Sequence, residues 1–255
     1  MEHIQVSRDG ALLVIILARG KANALNQAMV DELHRAIAHA ASDAAIRGVV
    51  LGSASHKVFC AGFDVEEVFN YDEPTMTRFF GRFVDVLEQC RTLPKPVVVS
   101  LSGHTYAGGA LLALSCDLRV MADGDVHFAI NEINLGVTLP PRMIKVMSAA
   151  ANAGLMRHLF LFGTPITASR AHAAGLVSEL APPSVLLDCA LGRARALAEK
   201  PPLAFAAHKR ALDPLGGEPM SPEERDHEVG IVMRSWFGEE SRAKREALVA
   251  SLKKP

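Results

Sequence analysis

The chain has 255 residues, of which 49% are hydrophobic and 22% charged, a balance that fits a globular protein and excludes a largely disordered one. Lys and Arg (27) nearly cancel Asp and Glu (28), and the basic residues are scattered, so the electrostatic footprint of a nucleic-acid binder is missing. No segment reaches about 18 uninterrupted apolar residues, and MEHIQVSRDG does not look like a leader, so a cytoplasmic chain without a membrane span is expected.

Short runs rich in Val and Ile predict buried strands at Val14 to Leu17, Val49 to Leu51 and Val97 to Leu101, with helical spacing between them. That alternation describes an α/β domain. A first helix is expected from an N-cap at Asn26 through Met29, Val30, Leu33, Ile37 and Ala41. A second follows Thr75 through Phe79, Phe83, Val86 and Leu87 and must end before Pro94. From about residue 185 strand patterns disappear, and helices broken by Pro201, Pro202, Pro214, Gly216 and Gly217 take over. Ser221-Pro222-Glu223-Glu224 predicts a capping box with proline in the first turn. This tail reads either as a packing lid or as an oligomerisation arm.

Cys60, Cys90, Cys116 and Cys189 form no CxxC pair and sit beside apolar residues, which predicts buried free thiols and no metal site. Gly108-Gly109 falls where a strand gives way to an apolar helix, and a second glycine loop, Phe59 to Glu67, also follows a strand. Free N–H groups collect at helix starts, and glycine lets a ligand approach the backbone. Two such N–H groups converging on one oxygen make an oxyanion hole, although a double glycine by itself is more often a tight turn. Neither GxGxxG nor GxxxxGK[ST] occurs, and Ala110 and Leu111 rule out a G-x-S-x-G elbow after Gly109.

Four segments taken together say more: KANALN (Lys21 to Asn26), VFCAGFDVEE (Val58 to Glu67), YAGGALLALSCDLRVMAD (Tyr106 to Asp123) and FAINEINLGV (Phe128 to Val137). In this order they resemble the crotonase family, the enoyl-CoA hydratase/isomerase superfamily, over roughly residues 10–180. The resemblance implies a crotonase/ClpP-like spiral of ββα units with a C-terminal helical region. Residues 1–184 would form the core with the acyl-CoA site, and residues 185–255 a lid and oligomerisation region. It also implies that the backbone N–H groups of Phe63 and Gly108 hold a thioester oxygen. Ala22, Ala24 and Ala61 would lie against the adenine and pantetheine arm, with Asp64 beside them. Coenzyme A then enters as part of the substrate, no cofactor is permanently bound, and the chain forms a homotrimer or homohexamer.

Two-carboxylate hydratases of this family carry one glutamate after the glycines and another about twenty residues later; here the first position holds Leu111 and the second Glu132. Hydration needs water activated at one carbon and a proton delivered at the next, a task for two carboxyl groups. Moving a double bond from C3=C4 to C2=C3 needs one base and a stabilised enolate. NEINLG also resembles the corresponding stretch of mitochondrial-type Δ3,Δ2-enoyl-CoA isomerases, so Glu132 is expected to shuttle the proton in an apolar setting that includes Ile130, Ile133 and Leu135. Hydration, decarboxylation, thioester hydrolysis and non-catalytic acyl-CoA binding stay open as alternatives. Asp64, Glu66 and Glu67 read as acids opening a helix, His104 and His127 as structural histidines, and no motif fixes Lys253 and Lys254 near CoA phosphates.

Overall fold

The computed structural model describes residues 1–252. A six-stranded sheet has the order β1 (Ile4–Asp9), β2 (Leu12–Leu17), β3 (Gly48–Ser53), β5 (Val97–Leu101), β7 (Leu118–Ala122) and β10 (Glu179–Ala181). Only the β1–β2 pair is antiparallel. The three strands read from the sequence lie in the middle of this sheet, where both faces are covered and continuous apolar runs are required.

A smaller sheet has the order β4 (Val58–Cys60), β6 (His104–Tyr106), β8 (His127–Ala129) and β9 (Ile166–Thr167), the first three parallel. The chain alternates between the sheets. Strand β3 lies in the large sheet, β4 in the small one, and helix α2 (Glu73–Thr92) follows; β5, β6 and α3 (Gly108–Leu114) repeat the step, and β7 and β8 begin it a third time. This is the expected spiral of ββα units. The small strands alter two local expectations: the glycine loops follow β4 and β6 rather than β3 and β5 directly, because each chain crossing adds a three-residue strand too short to read from periodicity.

Helix α1 (Gln27–Ser42) starts where expected, with Asn26 Oδ1 accepting from the Met29 N–H at 3.0 Å. Its stripe buries Met29, Val30, Leu33, Ala36, Ile37 and Ala40, whereas the expected Ala41 is exposed in the last turn, rotated past the face that meets α2. Phe79, Phe83, Val86 and Leu87 of α2 are all buried. The acids at Asp64, Glu66 and Glu67 open only a 3₁₀ turn, Val68–Asn70, not a longer helix. Cys60, Cys90 and Cys116 are buried free thiols, but Cys189 is half-exposed on α7 (Leu186–Ala198).

The remaining helices are α4 (Pro141–Met147), α5 (Ala153–Phe162), α6 (Ala168–Ala173), α8 (Pro202–Leu212), α9 (Pro222–Trp236) and α10 (Glu239–Leu252). The capping box at Ser221 forms as read: Ser221 Oγ accepts from the Glu224 N–H at 3.2 Å, and Glu224 Oε2 from the Ser221 N–H at 2.8 Å. Val229, Val232, Met233 and Trp236 of α9 enter the same hydrophobic core as the sheets and α1 to α3. Lys253 and Lys254 lie outside the described residues.

Candidate active site

Three neighbouring parallel strands of the small sheet deliver the site. Cys60 ends β4 and leads into Ala61-Gly62-Phe63, Tyr106 ends β6 and leads into Ala107-Gly108, and Ala129 ends β8 and leads into Ile130-Asn131-Glu132. Ligand sites form at such strand ends because the chain departs there in different directions. Tyr106 is in register with Ala129, and the Ala107 N–H donates to the Ala129 carbonyl at 3.0 Å, so the second and third loops are fixed to each other.

The first loop is held from its other side by the KANALN segment. Leu25 and Phe63 form an isolated bridge, in which the Leu25 N–H donates to Gly62 O at 2.8 Å and the Asp64 N–H to Leu25 O at 2.9 Å. The Ala61 N–H donates to Ala22 O at 3.0 Å. Arg19 Nη1 reaches both Ala24 O at 2.9 Å and Asp64 Oδ2 at 2.5 Å. Ala22, Ala24, Ala61 and Asp64 are thus brought together beside the first loop. Asp64 Oδ1 also accepts from the Glu66 and Glu67 N–H groups. Burial alone raises its pKa, but the Glu67 N–H and Arg19 outweigh burial and hold the carboxyl below its usual range. Its geometry is that of a brace for the loop.

Ala107 adopts φ 48° and ψ −125°, a strained backbone for a residue with a Cβ, at a cost of order 1–3 kcal/mol. The strain turns the chain sharply from β6 into α3 and leaves Gly108 as its first residue, with an N–H that has no acceptor one turn back. The Phe63 N–H likewise donates to no backbone carbonyl among the described residues. The loops touch: a Cβ on Gly62 would lie 3.5 Å from Gly108 N, and one on Gly108 would meet the Phe63 ring at 3.0 Å. That ring is locked by edge contacts to Phe79 and Phe83, with centroids 4.8 and 5.2 Å away. Two free N–H groups on rigid, adjoining loops can polarise a carbonyl oxygen and hold an enolate.

Beside them lies a cavity of about 110 Å³ lined by Phe63, Gly108, Leu111, Glu132, Trp236 and other, largely apolar residues. Glu132 is the one titratable side chain among the described lining residues. It opens a 3₁₀ turn, Glu132–Leu135, and its Oε2 is fully buried with no partner among the described residues. Desolvation pushes its pKa from 4.5 up to about 7, against a hydrogen bond from its own backbone N–H. A carboxyl with that pKa exchanges protons near neutrality. Leu135 lines the cavity and Ile130 is buried, but Ile133 points outward and is 45% exposed, because a 3₁₀ turn sends successive residues to different sides.

A family model described as "Enoyl-CoA hydratase/isomerase" matches residues 7–244. The chain belongs to that family. It is 31% identical over 218 residues to the 2,3-dehydroadipyl-CoA hydratase of Escherichia coli K12, covering 83% of this chain and 82% of that one. It is 28% identical over 214 residues to the short-chain-enoyl-CoA hydratase of Clostridium acetobutylicum, covering 84% and 82%. Human mitochondrial delta3-delta2-enoyl-CoA isomerase superposes with a TM-score of 0.90 over 99% of this chain and 98% of that one, at 21% identity, a likeness of fold. The chain is therefore an enzyme of the crotonase superfamily with the crotonase fold, and its family acts on CoA thioesters.

Phe63, Gly108, Leu111 and Glu132, each named from the sequence, meet at one cavity. Ala61 lines it as well, while Ala22, Ala24 and Asp64 stand behind the loop. Between Tyr71 and Val86 the lining comes from Phe80, and between Leu139 and Val146 from Leu139. His104 and His127 stack on each other with centroids 5.4 Å apart on the small sheet and do not line the cavity. Glu67 is engaged by Tyr71 and Asn26. Phe69, Val232, Trp236 and Leu248 line the cavity from outside the four motifs, and Val65, Ala107, Asn131 and Val137 from within them, none singled out by the sequence. Asn131 sits inside a quoted motif, and Val232 and Trp236 follow the capping box at helical spacing, but nothing in their order says which cavity that face covers.

Proposed function

We propose that this enzyme shifts the double bond of a 3-enoyl-CoA to give the conjugated 2-enoyl-CoA, with Glu132 as the proton shuttle and the Phe63 and Gly108 N–H groups as the oxyanion hole. The observation that carries this reading is the single carboxyl group in a cavity whose facing helix presents Leu111, 1% exposed, instead of a second acid. Glu132 takes a proton from C2, and the C–H pair is delocalised onto the thioester oxygen as a dienolate; the same carboxyl then gives the proton to C4, where the C3=C4 pair forms the new C–H bond while the C1=C2 pair shifts to C2=C3 and the thioester carbonyl is restored. One base and one anion stabiliser complete the cycle, and losing one such donor costs on the order of 3 kcal/mol in barrier.

On the same reading, Ala22, Ala24 and Ala61 face the adenine and pantetheine arm, and CoA is part of the substrate and not a resident cofactor. The enzyme works in the cytoplasm, and residues 185–255 supply both lid and subunit contacts in a trimer or hexamer. Support for the contacts comes from α8, which has no buried residue and exposes Leu203 at 87% and Leu212 at 83%. No described helix is long and apolar enough to cross a membrane.

A second reading, hydration of a 2-enoyl-CoA, is favoured by the names of the two hydratase relatives. The test is turnover of trans-3-hexenoyl-CoA, followed by the absorbance of the conjugated thioester, beside hydration of trans-2-hexenoyl-CoA. Isomerisation should exceed hydration and should fall by a factor of about 10²–10⁴ in Glu132→Gln. Hydration that rivals isomerisation rejects the first reading in favour of the second, and full isomerase activity in Glu132→Gln removes Glu132 from its role.

A further inference from the structure

Arg245 of α10 is 7% exposed, yet among the described residues it forms no ion pair with a carboxylate. Its guanidinium lies 4.3 Å from the centre of the Trp236 ring and 5.6 Å from that of Phe69. Nη2 donates to Trp236 O at 2.8 Å and Nη1 to Phe69 O at 3.4 Å, while Nε has no partner. The two rings meet edge to face, 5.3 Å apart. Burying a guanidinium without an anion costs several kcal/mol, and carbonyls with π faces recover only part of it. The arrangement ties the turn after the Phe63 loop to the α9–α10 corner, 176 residues away.

Phe69 and Trp236 both line the cavity, and Leu248, one turn beyond Arg245, lines it too. Arg245 itself stands behind the rings. Trp236 is 3% exposed, the largest side chain of the lining. A Trp236 ring packed at once against the Arg245 cation and the edge-on Phe69 ring resists swinging aside to admit a longer chain. The cavity of about 110 Å³ then has a fixed boundary on that side.

We propose that Arg245 is a positioning residue that sets the acyl-chain length: by locking the Trp236 and Phe69 rings it limits the site to short acyl groups. The inference rests on the reading that this cavity receives the acyl chain of a CoA thioester, but not on which reaction follows. The test is calorimetric titration of the full-length protein with hexanoyl-CoA and dodecanoyl-CoA, for the parent and for Arg245→Ala and Arg245→Lys. The parent should bind the shorter thioester about tenfold more tightly or better, and the ratio should fall to within about threefold in Arg245→Ala. Arg245→Lys, which keeps the charge but loses the planar stack, should fold like the parent and give an intermediate ratio.

Equal binding of both thioesters by the parent overturns the inference and leaves the acyl-CoA reading standing. So does a parallel loss of affinity for both in the variants with the ratio unchanged, the mark of a purely structural role. Failure of the parent to bind either thioester removes the acyl-CoA reading and the inference with it.

Discussion

A carboxylate that must accept a proton from carbon gains basicity from being desolvated, and the same desolvation works against the fold. In the role proposed for it, Glu132 shows both sides of this. With its pKa near 7 in the folded chain, its ionised fraction rises through neutrality, so kcat/KM should climb about tenfold per pH unit below about 7 and level above it. Stability runs the other way. The folded state holds the proton more tightly than the unfolded chain, so the contribution of protonated Glu132 is complete below about pH 4.5 and is lost as pH rises through about 7. Glu132→Gln, which cannot ionise, should therefore stabilise the protein at pH 8 relative to the parent by on the order of 3 kcal/mol, and by much less at pH 5. Denaturant unfolding at the two pH values checks this; a Gln variant no more stable at pH 8 than at pH 5, relative to the parent, removes the argument from burial.

At the level of elements, the site is a consequence of three short strands running side by side and ending together. Gly109 shows how tightly that junction is packed: a Cβ there would lie 2.6 Å from Cys60 Cβ and 2.6 Å from Cys60 O, at the end of β4. Backbone cannot yield as a flexible side chain does. Gly109→Ala should push α3 away from β4, cost about 1–3 kcal/mol in stability and lower activity with it. Gly192, within α7, is the contrast, because a Cβ there would meet nothing within 4 Å. Gly192→Ala should stabilise by about 0.5–1 kcal/mol and leave activity alone. Chemical denaturation of both variants, with activity read at the same protein concentration, tests the pair. The residues of this junction were legible in the sequence, since its glycines and Glu132 sit in ordered motifs. The strands were not, because three residues such as Val58–Cys60 carry no usable period.

For the molecule as a whole, α8 is the element left unexplained by a single chain. Its apolar residues Leu203 and Leu212 are open to solvent, and Leu161 and Phe162 at the end of α5 are 66% and 65% exposed. A helix that buries nothing of its own gains little from folding against its own chain, and apolar area removed from water at about 25 cal/mol per Å² makes self-association the natural outlet. Sedimentation should give a trimer or hexamer for the parent and a smaller species for the Leu203→Glu, Leu212→Glu double variant, with thermal unfolding still cooperative. An unchanged mass in that variant places the subunit contact elsewhere.

The sequence by itself determined the fold class, the central strands, α1 with its cap, α2, the capping box of α9, and four of the residues that meet at the cavity. These depend on local rules: alternation and apolar runs, capping side chains, and glycines where a Cβ has no room. Only the tertiary structure decided which side chains close the cavity from α9 and α10, that Ile133 turns outward while Glu132 turns in, and that Arg245 braces Trp236 from behind. Those facts depend on contacts such as the 176 residues spanned from Phe69 to Arg245, and pairing across that distance is fixed by packing, which leaves no period in the order of residues.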